Sequence, residues 1–330
     1  MRRRSLALLT GSTILLPRLL LAQTRKMPRI GFLTTGPKTQ LESMKMFDSL
    51  LLGLRERGYV EGQSIEIVYR GAEGKTSRFP ELARELVEAK VELIVASNTL
   101  AARAVQSAIT TIPIVVPVMG DPVGDGLVAS LARPGGNITG LTFLSPQLLP
   151  KRLSLLKEAL PAASKFTGLW HPRAYGEATM SEMAKGAETA AARLGLQLRL
   201  VAVQSAEDFG RAFAEITAEP ADALIVYPSP MLFTERKPIV ELIQKYRLPS
   251  MAMGREFVEL GGLMSYGASI GELHRQSAVY IDRILRGARP ADLPVEQASK
   301  LELAVNLAAA RELGITLPPT ILSRADVVID

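Results

Sequence analysis

From Pro28 to the C-terminus, short apolar runs alternate with amphipathic segments about 10 to 15 residues long. "RIGFLTT" reads as a buried strand ending in two hydroxyls, and "ESMKMFDSLLLGLRERG" as a helix closed by Gly58. "QSIEIVYRGA", "VELIVASNT" and "IPIVVPVMGD" follow as strands, separated by the helical patterns "RFPELARELVEAK" and "LAARAVQSAITT". "GLVASLAR" has the spacing of a further helix, and "PGGNITGL" turns the chain into a last strand of this half. The second half repeats the grammar, with strands in "ASKFTGLWHP", "LQLRLVAV" and "ADALIVYPSP" and helices in "SEMAKGAETAAARLG" and "AEDFGRAFAEITAEP". Strand and helix in strict alternation predict α/β architecture with parallel sheets.

The two halves share one order: helix, glycine, strand, helix, an acidic residue, then Leu-Ile-Val. This predicts two doubly wound, Rossmann-like lobes, each with its own core. Ligands of such sheets bind beyond the carboxyl ends of the strands, so the loops there are the candidate site. They hold Thr34, Thr35, Ser97, Asn98, Thr99, Gly120, Asp121 and Pro122 in the first half. In the second they hold Trp170, His171, Tyr227, Pro228, Glu256, Ser265 and Tyr266.

The 330 residues are 47% hydrophobic and 22% charged, an ordinary globular composition, with a formal charge of +6. Four of the arginines (Arg2, Arg3, Arg4 and Arg18) flank the apolar stretch Leu6 to Leu16, which is too short to span a bilayer and has the form of a signal peptide. If cleavage follows Ala22, Lys+Arg falls from 39 to 35 against 33 acids, and the basic excess nearly vanishes. A nucleic-acid surface is then unsupported. The expectation is a periplasmic protein, exported by either the general or the twin-arginine route, with no cysteine for a disulfide or a lipid anchor.

Catalysis and metal binding find little support. His171 and His274 are the only histidines, and there is no Gly-x-Ser-x-Gly elbow. His274 sits in a helical pattern, where an exposed or capping role is expected; His171 at a strand end leaves a hydrolase as a third reading. Without cysteine or a dense carboxylate cluster, zinc and calcium lack a ligand set, and "GDPVGDG" lacks the spacing of a phosphate loop. No cofactor is expected. The loops suit a small zwitterion instead. Ser97, Asn98 and Thr99 precede a helix and can hold a carboxylate or simply cap it. Asp121 and Glu256 can accept from an ammonium group, although Asp121 before Pro122 also suits a plain turn. Trp170, Tyr227 and Tyr266 can form flat walls, or core.

"GDPVGDGLVASLARPGGNITGL", "GGLMSYG", "YIDRILRGARPADLPVEQ" and "ARELGITLPPTILSRADVVID" together resemble the ABC-transporter substrate-binding protein family that includes tryptophan-binding lipoproteins, with the type I periplasmic-binding-protein fold. The resemblance runs from about Arg29 to Asp330 and implies two lobes joined by three crossovers, near 143–146, 268–271 and 298–300. The N-terminal lobe would be residues 28–144 plus 271–298, and the C-terminal lobe 145–270 plus 299–330. It implies a non-enzymatic monomer that traps a small ligand, such as an aromatic or branched-chain amino acid, and delivers it to a membrane permease with its ATPase. A sensor that reports its closed state to a membrane receptor is the alternative.

Overall fold

The computed structural model describes residues 27–38, 46–108, 111–143, 145–219 and 221–330. The expected signal segment, residues 1–22, and the start of the first predicted helix lie outside them.

Two sheets form the molecule. The first contains β1 (Arg29–Thr34), β2 (Glu66–Gly71), β3 (Leu93–Ala96), β4 (Ile114–Met119), β5 (Ile138–Thr142) and, late in the chain, β11 (Glu296–Gln297), in the order β11-β5-β4-β3-β1-β2. The second contains β6 (Lys165–Trp170), β7 (Gln197–Ala202), β8 (Ala223–Val226), β9 (Ser250–Ala252), β10 (Met264–Ala268), β12 (Leu301–Asn306) and β13 (Val327–Ile329), in the order β13-β12-β10-β9-β8-β6-β7. The central strands "LIVA", "IVVPVM" and "ALIV" are buried along their whole length, because helices cover both faces of each sheet.

Every pairing is parallel except one. β12 runs antiparallel to β10, with Met264 opposite Val305 and Ala268 opposite Leu301. The chain leaves the second sheet at the end of β10 and re-enters it at the same edge at the start of β12, which forces opposite directions. The expectation of wholly parallel sheets is therefore corrected to mainly parallel ones.

The chain passes between the sheets three times: after β5 into the helix Ser145–Ala159, after β10 into the helix Ile270–Leu285, and from β11 into β12. The Ile270–Leu285 helix packs on the helix Met46–Arg55 against the first sheet. Tyr59 Oη donates to Asp282 Oδ1 at 3.0 Å, and Arg275 bonds both oxygens of Glu56, pinning a late helix to an early one.

"GLVASLAR" is not a helix. Its donors go elsewhere: Leu127 and Val128 N–H to Pro122 O, and Ala129 N–H to Pro134 O, while Leu131 O accepts from Val295 N–H. Gly126 turns the chain at φ +69, and Leu127 and Val128 pack into the core on the outer face of the first sheet. The apolar spacing that suggested a helix is satisfied by a buried loop.

Ile281, fully buried on the Ile270–Leu285 helix, tests this tie. Ile281→Ala is expected to cost about 2 to 5 kcal/mol in urea unfolding. A loss below about 0.5 kcal/mol would show that the helix does not hold the first lobe together.

Candidate functional site

A cavity of about 50 Å³ lies where the carboxyl ends of both sheets face each other. Thr34, Thr35, Ser97 and Asn98 bring polar atoms from the first lobe, with Met46 and Val118 beside them. Phe143, Tyr175, Phe233, Thr234 and Met253 close it from the second lobe and the first crossover, and Ile270 and His274 from the second.

The polar end is organised by Asn98. Its Oδ1 accepts from Ala101 N–H at 3.1 Å and so caps the helix Thr99–Ala108. Its Nδ2 donates to Thr35 Oγ1 and to Ser97 Oγ, both at 3.1 Å. A hydroxyl oxygen that already accepts from an amide turns its own hydrogen elsewhere. Thr35 and Ser97 therefore present two O–H donors beside a helix N-terminus, an arrangement suited to a carboxylate. Thr99 serves the frame instead: its Oγ1 accepts from Gly120 N–H at 3.2 Å, tying the end of β4 to the same helix.

The opposite wall is aromatic. The Phe143 and Tyr175 ring centroids are 6.5 Å apart, and Tyr175 packs against Gly120, where a Cβ would come to 3.0 Å from the ring. This is a contact between lobes, and a larger residue at 120 would push the ring back. Beside it, Asp125 reaches across from the first lobe. Its Oδ1 accepts from Gly176 N–H at 3.0 Å and from Thr179 Oγ1 at 2.6 Å, at the start of the helix Glu177–Arg193. Gly176 has no side chain to cap that helix, and Asp125 supplies the negative group its N-terminus favours. Arg103 supports the carboxylate, with Nη2 at 3.8 Å from Oδ1 and 2.9 Å from the Asp125 carbonyl. Burial pushes the Asp125 carboxyl above the usual range, opposed by the Thr179 hydroxyl, Arg103 and the Gly176 N–H.

Of the residues expected from sequence, Thr34, Thr35, Ser97 and Asn98 meet in the cavity. The rest do not line it. Asp121 accepts from Gly124 N–H at 2.9 Å and closes its own turn; the carboxylate that crosses between lobes is Asp125, in the same motif. Gly120 and Pro122 frame that loop. Tyr227 and Leu200 both pack over Gly168 on a face of the second sheet, and Tyr227 lies edge-on to Trp170 at 6.4 Å, so both aromatics belong to sheet packing. Pro228 is buried behind Ser229, which caps the helix Pro230–Thr234 through Leu232 N–H. Ser265 is buried within β10, and the Tyr266 carbonyl accepts from the buried Arg152 Nε at 2.7 Å. Glu256 faces a separate groove near the crossovers with Arg236 and Arg255, and burial raises its carboxyl. His171 lines a wider groove of about 690 Å³ between the lobes, together with Arg103, Arg173 and Gln204. Burial and Arg173 lower its pKa.

Tyr175, Phe143, Phe233 and Met253 were missed. Tyr175 stands four residues beyond His171, immediately before Gly176, and an aromatic-glycine pair in a strand-end loop is the signal that could have found it. His274 is neither exposed nor capping: it is 1% exposed, and Nδ1 lies 2.9 Å from Ile270 O.

The family model described as ABC transporter substrate binding protein matches residues 42–329. The chain belongs to that family. A tyrosine-binding protein of Clostridioides difficile is 25% identical over 285 residues, which is 86% of this chain and 80% of that protein. Among solved structures, a conserved domain protein of Vibrio cholerae O1 biovar eltor is 30% identical with a TM-score of 0.83, covering 92% of this chain and all of that one. The ABC domain of Streptococcus pneumoniae in complex with L-Trp is 27% identical with a TM-score of 0.82, covering 92% of this chain and 99% of that one. Type I periplasmic binding proteins share the two-lobed fold of this substrate-binding protein at lower identity. Among the described residues no helix is long and apolar enough to cross a membrane, and none form a metal-binding group of three or more His, Cys, Asp or Glu.

Two predictions follow from the geometry. Asp125→Ala removes the acceptor at the opposing helix and should destabilise the compact form by about 1 to 3 kcal/mol, raising the radius of gyration in solution scattering. Asp125→Asn keeps an Oδ1 acceptor and should stay near the wild type; equal expansion in both variants would contradict the hydrogen-bond account. For His274, burial lowers the pKa from 6.5 to about 4, so the unfolded chain takes up a proton before the folded one does. Stability should therefore fall as pH drops from about 6.5 to about 4, with this residue contributing about 3 kcal/mol. His274→Gln should flatten that part of the urea midpoint profile; an unchanged acid loss would refute it.

Proposed function

We propose that this protein traps an amino acid, most plainly an aromatic one, between its two lobes and presents it to a membrane permease driven by an ATPase. The observation that carries the reading is the division of one cavity into a hydroxyl-lined end at a helix N-terminus and an aromatic end. The Thr35 and Ser97 hydroxyls suit a carboxylate, and Phe143, Tyr175, Phe233 and Met253 suit a flat apolar side chain. Relatives described as binding tyrosine and tryptophan support the same ligand class.

The lobes in this reading are residues 28–144 plus 271–298 and residues 145–270 plus 299–330, hinged at the crossovers. A cavity of about 50 Å³ is smaller than an aromatic amino acid needs, since small-molecule sites occupy about 300 Å³ or more. Entry therefore requires Tyr175 to lift from Gly120 and Asp125 to leave Gly176. Ligand contacts with both lobes then favour reclosure, and the permease reads the closed state. The protein acts by binding and release in the periplasm, after loss of residues 1–22.

Calorimetry of the mature chain with tryptophan, tyrosine, phenylalanine and leucine tests this. One-to-one binding is expected, weakened about tenfold by Ser97→Ala and about tenfold by Thr35→Val. Heat with none of the amino acids would overturn the reading.

A further inference from the structure

The cavity combines hydroxyls at the ends of β1 and β3 with apolar side chains such as Val118, Phe143 and Met253. One ring nitrogen on its wall has no partner in the fold. His274, one turn after Ile270, is buried to 1% exposure and lines the cavity with it. Its Nδ1 lies 2.9 Å from the Ile270 carbonyl, which can only accept, so Nδ1 carries the hydrogen. Burial holds the ring neutral above about pH 4. Nε2 is therefore a bare acceptor, and it has no hydrogen-bond partner.

Nδ1 is taken by its own helix, so Nε2 is the ring atom left for a group that enters the cavity. Of the residues that line the cavity with His274, Met46, Val118, Phe143 and Ile270 have no side-chain donor to offer, and Nε2 accepts from none of the others. A phenylalanine or leucine would fill the same space without leaving a buried acceptor unsatisfied. An imidazole here is costly to the free protein unless a ligand brings the donor.

We propose that His274 is a specificity-determining residue whose Nε2 accepts a hydrogen bond from the ring donor of the ligand, the indole N–H of tryptophan or the phenol O–H of tyrosine. The inference rests on the amino-acid reading above. It divides the work of the cavity: Thr35 and Ser97 take the carboxylate, the aromatic wall takes the ring, and His274 distinguishes rings that carry a donor from phenylalanine, which does not. A site built to receive a donor rejects the analogue lacking it far more strongly than an apolar pocket rejects a missing methylene.

The test is calorimetric titration of wild type, His274→Leu and His274→Gln with tryptophan, tyrosine and phenylalanine at pH 7. The wild type should bind tryptophan or tyrosine at least tenfold more tightly than phenylalanine. His274→Leu should weaken that ligand about tenfold and leave phenylalanine unchanged or tighter, while His274→Gln, which retains an acceptor, should keep part of the ratio. Melting temperatures without ligand show that each variant is folded. Equal weakening of all three ligands in His274→Leu would overturn the proposal, as would a wild type that does not discriminate. Failure of the wild type to bind any of the three would overturn the amino-acid reading as well, which separates the two outcomes.

Discussion

The arrangement of this molecule depends on a contact between lobes: the Asp125 carboxylate of one seated on Gly176 and Thr179 of the other, beside Tyr175 lying on Gly120. Each half of the contact needs a missing side chain. A Cβ on Gly176 would fall 2.3 Å from Asp125 Oδ1, and one on Gly120 would press on the Tyr175 ring. Where two lobes approach this closely, the cavity between them is walled by both. Residues that are distant in sequence, such as Ser97 and Phe233, then act on one small volume.

The polar part of the contact is small. It uses few hydrogen bonds, a half-exposed arginine and one aromatic contact, beside an extensive apolar cluster that includes residues of both lobes. The Asp125 charge is disfavoured by burial, so the contact stabilises less than its hydrogen bonds alone would suggest. A ligand with a polar and an apolar end can tip such a balance, because it adds contacts to both lobes only when they are together.

The strand ends were legible in the sequence because apolar runs in a parallel sheet stop where the chain meets solvent or ligand. This brought Thr34, Thr35, Ser97 and Asn98 to notice, and the resemblance carried by "GGLMSYG" and the C-terminal tail pointed to the family. The facing half of the cavity was less legible. Trp170, Tyr227 and Tyr266 stand in the strand or at its immediate end, and residues there pack with neighbouring strands. Tyr175, in a loop, and Phe233, in the short helix Pro230–Thr234, sit several residues further along, where the chain has left the sheet and can reach the cleft. The choice between Asp121 and Asp125 was likewise beyond a single sequence. Both have turn chemistry, and only the position of the other lobe shows which carboxylate has a distant partner. His274 was hidden for a related reason, since its helix crosses back to the first lobe and brings an ordinary helical position to the cavity.

The central claim is that the two lobes close around the ligand. The chain has no cysteine, so spin labels on Ser107→Cys and Gln204→Cys, on opposite sides of the groove between the lobes, report one distance. Pulsed electron–electron resonance of the doubly labelled protein should show a broad or long distance without ligand, collapsing to one shorter, narrow distance at saturating tryptophan. A distribution unchanged by a ligand that calorimetry shows to be bound would contradict closure as the means by which this protein holds its ligand.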